Sequence, residues 1–381
     1  MVMWLIALLL IFLIIYPYVI YPAILYVLPK NSVAMLKKLP EITNISLFIA
    51  AYNEEKVIKE KLNNSLVLET ANVNLEIIVA SDGSTDATIA IVKEFENKYS
   101  NIKLLDFKER QGKVNVINRG LQFCKGEIIL LSDANAMYNR ECLQKILPHF
   151  QNEKCGCVAG EKRVKAMETD ISKNEGLYWK LESKIKQLEA KVKTVIGADG
   201  ACYAIRKKLF CKLPKDTAVD DFLLSMKIVE QGYNIEYEPE AYSYEESGSS
   251  LKQELNRKIR IAAGNFYNLC YLKRFFAADI VSFMFISHKL LRWISPALFL
   301  ALSLVLTVLT LESLTAIILL FLLVITYIGA LINYNYNINI FLSDKLSRLI
   351  TYFYLTVYAQ LIGFIKYLSG KQKAVWNTIR E

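Results

Sequence analysis

An aspartate and an asparagine follow an apolar run in the segment EIILLSDANAM, residues 127–137. The apolar run predicts a buried strand, and an acidic residue at the carboxyl end of a strand is a common place for chemistry in an α/β domain. Asp133 and Asn135 both carry side-chain oxygens, which Mg²⁺ and Mn²⁺ accept as ligands. The amide lacks the charge of a second carboxylate, so the segment predicts either a weakened metal site or only a turn.

Two other polar segments follow predicted strands. AAYNEE (residues 50–55) comes after ISLFI, and ASDGSTD (residues 80–86) comes after LEIIV. Each could be no more than a capped loop between a strand and a helix. Both are expected at the same edge of the sheet, however, where a residue such as Asp82 can accept hydrogen bonds from a nucleotide base or ribose.

The segment RQGK, residues 110–113, opens a predicted helix. It does not have the frame of a Walker loop, G-x-x-x-x-G-K-[ST]. A lysine at a helix N-terminus is nevertheless suited to contact a phosphate. Lys113 is therefore a candidate phosphate ligand, and the alternative is an ordinary solvated lysine.

Two adjacent aspartates, Asp220 and Asp221, precede the helical segment LLSMKIVEQG. Acidic residues at a helix start are favoured by the helix dipole, which is the structural alternative to a catalytic role. An aspartate with its ordinary pKa of about 3.9 is ionised at neutral pH and can accept a proton. The pair is therefore a candidate for general-base chemistry.

Strands that alternate with helices must position these residues. Strands are predicted at ISLFIAAY, LEIIVASD, IKLLDF, EIILLSD and CGCVAG, with helices over residues 54–68, 86–98 and 113–124. This alternation predicts an α/β fold with a mostly parallel central sheet. Ligands then belong at the carboxyl ends of the strands, where the polar segments lie.

The composition predicts segments in contact with a membrane, in addition to the α/β fold. The chain has 381 residues, a hydrophobic fraction of 54% and a formal net charge of +9. The apolar residues cluster at both ends, and the basic residues lie beside them, which favours lipid contact over nucleic acid. The 7 cysteines form no framework and fit reduced thiols.

The apolar clusters divide the chain into five predicted regions. They are an N-terminal transmembrane helix (1–30) kinked at Pro17 or Pro22, a catalytic domain (31–248), amphipathic interface helices (249–285), a C-terminal transmembrane region of two or three helices (286–370) and a basic tail (371–381). Lys30, Lys37 and Lys38 follow the first helix, so the positive-inside rule predicts a multi-pass protein of the cell membrane with a cytoplasmic catalytic domain.

Taken in order, the motifs AAYNEE, VASDGSTDAT, GK and SDAN resemble the nucleotide-sugar domain of glycosyltransferase family 2, over residues 44–245. GADGA (197–201) resembles the acceptor-side loop of that family, and TAVDDFLL (217–224) resembles its E-D element. RKIRI (257–261) stands where processive members carry Q-x-x-R-W. SHKLLRW (287–293) and the closing Trp376 to Arg380 resemble the membrane-bound polysaccharide-synthase branch, which includes cellulose synthase and poly-N-acetylglucosamine synthase.

The resemblance implies a GT-A-type fold and a role for each matching residue. Asp133 and Asn135 would hold Mg²⁺ or Mn²⁺, Asp221 would be the base beside Asp220, and Asp199 and Gly200 would face the acceptor. The implied donor-binding residues are Ala51, Tyr52, Glu54, Asp82 (nucleoside), Lys113 (phosphates), Asp133, Arg257 and Arg260.

The implied reaction is an inverting, metal-dependent transfer from a nucleotide sugar, which we expect to be UDP-linked, to a growing cell-surface polysaccharide. The alternative is transfer of a single sugar to a lipid-linked acceptor, which Arg257 and Ile261 favour because they replace the glutamine and tryptophan of the processive motif. The expected partners are the donor, the acceptor, the bilayer and accessory membrane subunits, without nucleic acid. A nucleotide-binding scaffold without catalysis is a third hypothesis, motivated by Asn135.

Overall fold

A computed structural model describes residues 1–30, 44–70, 73–164, 170–245, 251–336, 338, 341 and 343–370. The chain divides into two compact units. The apolar unit consists of the described residues within 1–28, 166–178 and 247–372, and the sheet unit consists of those within 29–165 and 179–246. The predicted basic tail (371–381) lies outside the described residues, and so do Lys37 and Lys38.

The apolar unit begins with two helices, α1 (Val2–Ile15) and α2 (Ile20–Val27). They meet at 67°, and Pro17 lies in the break between them. Proline has no backbone N–H and cannot continue a helical ladder, which explains the break. Of the two predicted kink positions, the structure uses Pro17, while Pro22 lies within α2.

The sheet unit is built on one eight-stranded sheet in the described residues. Its strands are β1 (Asn44–Ala51), β2 (Asn74–Asp82), β3 (Ile102–Phe107), β4 (Ile128–Asp133), β5 (Met137–Tyr138), β6 (Cys155–Val164), β7 (Tyr203–Arg206) and β8 (Asn234–Glu245). Their order across the sheet is β3-β2-β1-β4-β7-β6-β8-β5.

Helices accompany the strands of this unit. They are α3 (Ile58–Leu66), α4 (Thr88–Lys98), α5 (Lys113–Gly120), α6 (Cys142–Ile146), α7 (Asp170–Val192, whose residues 170–178 belong to the apolar unit) and α8 (Asp220–Glu230). The first three confirm the helices predicted from the sequence, although α3 starts later than predicted. A loop over residues 53–57 occupies the difference.

The first four strands of the chain form the parallel part of the sheet. β1 pairs in parallel with both β2 and β4, and β2 pairs in parallel with β3. Seven consecutive residues of β1 are buried, as expected for a parallel strand covered on both faces. The chain crosses from β3 to the far side of β1 at β4, so a topological switch point lies between β1 and β4, where open α/β sheets bind ligands.

The other half of the sheet is mixed, which the sequence did not predict. β7 runs antiparallel to both β4 and β6, and β5 runs antiparallel to β8, while β6 and β8 are parallel. The predicted mostly parallel sheet is therefore confirmed for its first half and becomes a mixed sheet overall.

In the described residues that follow the sheet, six α-helices complete the apolar unit. They are α9 (Leu251–Leu269), α10 (Ile280–Phe285), α11 (Leu291–Trp293), α12 (Ser295–Leu309), α13 (Leu314–Tyr336) and α14 (Asp344–Leu368). Among the described residues, α13 and the segment Leu346–Leu368 are long and apolar enough to cross a membrane, and up to four spans result if each bent helix pair counts as one. The second bent pair is Ile280–Trp293 with Ser295–Leu309, at 65°.

The amphipathic helix α9 buries its apolar side against α14. A Cβ placed on Gly363 of α14 would lie 2.5 Å from the Cβ of Ala262 in α9, so only glycine allows this approach. The ring of Phe266 lies 5.0 Å from that of Phe364, centre to centre. Contact with a membrane surface remains a prediction for the polar side of α9.

Candidate active site

The two polar loops after β1 and β2 are bound to each other. Asn53 adopts a φ of 50°, and its Oδ1 accepts a hydrogen bond from Thr85 N at 2.8 Å. Glu54 N donates to Thr88 Oγ1 at 2.8 Å, and Glu55 accepts from Ala87 N at 2.9 Å. These bonds fix the AAYNEE and ASDGSTD segments as one surface at the carboxyl edge of the sheet.

Asp82 lies beneath that surface and holds the RQGK turn. Its side chain is buried, and its two oxygens accept hydrogen bonds from Gln111 N and Gly112 N, each at 2.8 Å. Gly112 has a φ of 91°, a conformation that favours glycine and that turns the chain into α5. In this structure Asp82 therefore positions the start of α5, and its predicted contact with the nucleoside stays a prediction.

Lys113, the first residue of α5, lies among carboxylates. Its Nζ is 2.8 Å from Asp133 Oδ1 and 3.4 Å from Asp220 Oδ2. Removal from water opposes the ammonium charge, but the carboxylates of Asp133, Asp220 and Asp221 outweigh this effect and raise the pKa of Lys113. Lys113, Asp133 and Asp220, which were predicted from three separate motifs, therefore lie in contact.

The antiparallel strand β7 explains how the acceptor-side loop reaches the same place. Leu131 of β4 pairs with Tyr203 of β7, so the residues before β7 lie at the edge where β4 ends. A Cβ placed on Gly200 would lie 3.1 Å from Asp221 Oδ2 and 3.6 Å from Asp133 Oδ2. The structure thus brings Gly200, Asp133 and Asp221 together at the switch point.

Asp221 has the electrostatic character of a base. Removal from water and the neighbouring charge of Asp220 raise the pKa of Asp221 to about 7, although Lys113 acts in the opposite direction. Its Oδ1 accepts a hydrogen bond from Phe222 N at 2.8 Å. A carboxyl group with a pKa close to neutral pH is well matched to proton transfer.

The acceptor-side loop is held by residues that the sequence analysis did not single out. The buried Lys186 of α7 forms an ion pair with Asp199. Glu189 accepts from Ile196 N at 3.0 Å, and Ser225 accepts from Ala198 N at 2.9 Å. A single lysine in a polar helix looks solvated in sequence, so only its burial in the folded chain reveals this role.

Three predicted donor-binding residues, Ala51, Tyr52 and Glu54, belong to the AAYNEE segment. Ala51 is the buried last residue of β1, and Glu54 is also buried. The guanidinium carbon of Arg110 lies 3.9 Å from the centre of the Tyr52 ring, which is a cation–π contact at the rim of the site. The sequence alone predicts no role for Arg110.

The predicted metal ligands supply one carboxylate and one amide oxygen. Among the residues that the structure describes, no three His, Cys, Asp or Glu side chains are grouped to hold an ion. Mg²⁺ is commonly bound through one or two carboxylates together with substrate phosphates. Asp133 and Asn135 therefore fit a divalent ion that arrives with a diphosphate, and they do not form a site that is complete within the protein.

Arg257 and Arg260 lie on α9, in the apolar unit. The guanidinium of Arg257 binds the buried carboxylate of Glu254 through two hydrogen bonds, at 2.8 and 3.0 Å. Both arginines stay predicted donor ligands. For Arg257, contact with a diphosphate would compete with Glu254.

Comparison with known proteins assigns part of the chain to a family. Residues 46–213 match the family model described as Glycosyl transferase family 2. This segment is a family 2 glycosyltransferase domain. The match covers the strands and loops that carry Asp82, Lys113, Asp133 and Gly200, and it confirms the resemblance stated from the motifs.

Two relatives and one solved structure resemble this chain. YdaM of Bacillus subtilis, a probable glycosyltransferase, is 31% identical over 63% of this chain, and poly-beta-1,6-N-acetyl-D-glucosamine synthase of Staphylococcus aureus is 25% identical over 62%. The alignments cover 60% and 59% of those proteins, so the chain spans about three fifths of their length.

The mannosyltransferase PcManGT of Pyrobaculum calidifontis superposes with a TM-score of 0.73 over 97% of this chain and 99% of that one, at 20% identity. That likeness establishes the fold, and the glycosyltransferase domain is of the predicted GT-A type.

Proposed function

We propose that the protein transfers a sugar, with inversion, from a nucleotide sugar to a hydroxyl group of a growing cell-surface polysaccharide. The observation that carries the proposal is the cluster of Asp133, Asp220, Asp221 and Gly200 around Lys113, at the switch point of a family 2 glycosyltransferase domain. The relative named as a poly-N-acetylglucosamine synthase supports a polysaccharide product.

In this proposal Asp221 accepts the proton of the attacking hydroxyl. Bond breaking at the anomeric carbon builds positive charge on the sugar and negative charge on the departing diphosphate. The base and the leaving group act on opposite faces of the sugar, so a single displacement inverts the anomeric configuration. Gly200 leaves room beside Asp221 for the acceptor, because any side chain at that position would approach the carboxylate.

Lys113, Asp133 and Asn135 serve the departing diphosphate. A divalent ion bound there would stabilise the leaving group as a Lewis acid. Asp133 and Asn135 would hold that ion, and Lys113 would contact the phosphates from the N-terminus of α5. The structural neighbour was solved with GDP-Man and Mn²⁺, which supports a divalent ion at the donor site.

The surroundings of the reaction are also part of the proposal. The helices that can span a membrane support a multi-pass protein of the cell membrane, and Lys30, Lys37 and Lys38 favour a cytoplasmic glycosyltransferase domain. The bilayer is then a partner, and accessory membrane subunits could assist export of the product.

A second function is favoured by a specific feature of α9. Arg257 and Ile261 stand where the resemblance places the glutamine and tryptophan of processive enzymes. Without that tryptophan, the protein would add one sugar to a lipid-linked acceptor. The two functions share the donor chemistry and differ only in the acceptor.

A screen of nucleotide sugars on the purified full chain tests the shared donor chemistry. UDP- and GDP-linked sugars are compared for transfer and for thermal stabilisation, each with Mn²⁺ and with excess EDTA. We expect one donor class to stabilise the protein and to be consumed only with the metal. Equal turnover in EDTA would contradict the role of the metal, and no stabilisation by any donor would contradict the proposed function.

A further inference from the structure

The SDAN segment is attached at its far end to helix α3. Lys61 of α3 is completely buried, and its Nζ donates a hydrogen bond to the carbonyl oxygen of Ala136, the residue after Asn135. The same Nζ lies 3.8 Å from the centre of the Tyr138 ring. The amine therefore satisfies a backbone acceptor at the end of the turn and packs on the first aromatic side chain beyond it.

Asn64, one turn further along α3, holds the next part of the segment. Its Oδ1 accepts a hydrogen bond from Tyr138 N at 2.9 Å, and its Nδ2 donates to Tyr138 O at 2.9 Å. The Tyr138 hydroxyl donates to the carbonyl of Leu131, just before SDAN, at 3.2 Å. The turn that presents Asp133 and Asn135 is thus closed across its base and fixed to α3.

Lysine is an unusual residue at the fully buried position 61. Two of its three buried neighbours on α3, Ile58 and Leu62, are apolar and the third is Ser65, and a methionine would fill similar space without the penalty of a buried amine. Burial lowers the pKa of Lys61 to about 7, so the position disfavours the charged form. An amine keeps N–H donors in either state, so the hydrogen bond to Ala136 does not depend on the charge.

We propose that Lys61 and Asn64 are positioning residues that hold the SDAN turn in the geometry in which Asp133 and Asn135 receive the metal–diphosphate part of the donor. They touch neither the donor nor the acceptor and act through the backbone of residues 136 and 138. This inference rests on the proposed function, because it assigns them to the same site.

Matched pairs of variants on α3 test the inference on the full chain. Lys61→Met and Asn64→Ala remove the contacts, while Lys59→Met and Asn63→Ala make the same changes at exposed positions of the same helix. Two quantities are measured. One is the Mn²⁺ concentration that half-activates sugar transfer, and the other is the Mn²⁺ concentration at which UDP or GDP half-maximally stabilises the protein against heat.

We expect both Mn²⁺ concentrations to rise by roughly tenfold in Lys61→Met and Asn64→Ala, as when a residue that orients a metal ligand is lost. The rate at saturating Mn²⁺ should stay close to that of the wild type, and the two controls should behave as the wild type. Variants that match their controls in both measurements would overturn the inference.

A double-mutant cycle separates positioning from a general loss of stability. In an Asn135→Ala background the turn has already lost one metal ligand, so the effect of Lys61→Met on the Mn²⁺ requirement should be clearly smaller. Fully additive effects would overturn the inference. If Lys61→Met does not fold, Asn64→Ala takes its place in the cycle, since Asn64 is only half-buried.

The wild-type protein distinguishes this inference from the proposed function. A wild type that shows neither transfer nor Mn²⁺-dependent stabilisation by a nucleoside diphosphate contradicts the proposed function. A wild type that shows both, with variants that match their controls, contradicts only the role of Lys61 and Asn64.

Discussion

At the scale of single residues, the proposed chemistry depends on the interactions among four neighbouring charged groups, one ammonium and three carboxylates. Lys113 contacts Asp133 and Asp220, and Asp221 lies next to Asp220 with its pKa raised to about 7. The lysine stabilises charged carboxylates, while burial and like charge oppose them. Because these groups interact electrostatically, substitution of one of them changes the pKa of its neighbours.

The pH dependence of kcat/KM should report the Asp221 carboxyl of the free protein. Below pH 7 the group is increasingly protonated and cannot accept a proton, so kcat/KM should fall roughly tenfold per pH unit on the acid side. Asp220→Asn removes the like charge and should move this acid limb to lower pH, whatever it does to the maximal rate. Asp216→Asn, at an exposed position before α8, should leave the limb in place. An unmoved limb in Asp220→Asn would contradict the assignment.

Asn135 is the second proposed metal ligand. Asn135→Asp adds a charged oxygen ligand beside Asp133, so activity should be preserved and the Mn²⁺ or Mg²⁺ concentration for half-activation should fall. Titration of the transfer rate with each metal measures this. An unchanged metal requirement would mean that Asn135 only shapes the turn.

At the scale of elements, the site depends on a close contact between the acceptor-side loop and α8. Gly197 has a φ of 87°, and a Cβ there would lie 2.2 Å from Phe222 Cδ2. Phe222 follows Asp221 directly, so a displaced Phe222 ring would disturb the proposed base. The bonds from Lys186 and Ser225 hold the loop in that contact.

Gly197→Ala and Gly232→Ala form a matched pair that isolates this contact. Gly232 has nearly the same φ, 88°, but no atom would lie within 4 Å of an added Cβ. The left-handed backbone conformation should lower the free energy of unfolding of each alanine variant by about 1–2 kcal/mol. Gly197→Ala should lower the unfolding temperature further and should also lose most of the transfer activity, whereas Gly232→Ala should keep it. Equal effects on stability and activity would show that the Phe222 contact is unimportant.

Elements of the parallel half of the sheet could be predicted because their burial leaves a continuous apolar run. The strands that contain Ile128 and Ile77 are examples. β7 and β8 could not be predicted in this way, since β7 has only four residues and β8 mixes buried and exposed positions around Pro239. The motifs predicted Asp133 and Asp221 as site residues. Lys61 and Lys186 resemble ordinary surface lysines in sequence, because their burial and their contacts involve segments that are distant along the chain.

At the scale of the whole molecule, the chain combines a glycosyltransferase domain with helices suited to a membrane. The length of the product distinguishes the two proposed functions. With donor and a short acceptor, we expect a ladder of products, because an enzyme that extends a polysaccharide adds sugars repeatedly to the same acceptor. A single added sugar, even with excess donor, would instead support transfer to a lipid-linked acceptor and would connect the changes at Arg257 and Ile261 to the loss of processive synthesis.

The most direct test of the account is the rate of sugar transfer by Asp221→Asn, compared with Asp216→Asn and the wild type, using the donor identified by the screen. Loss of a general base commonly lowers the rate by about 10²–10⁴-fold. We predict a loss in that range for Asp221→Asn, with the wild-type rate for Asp216→Asn and with donor binding retained by all three proteins. Transfer by Asp221→Asn at the wild-type rate would contradict the central claim that Asp221 is the base of a glycosyltransferase.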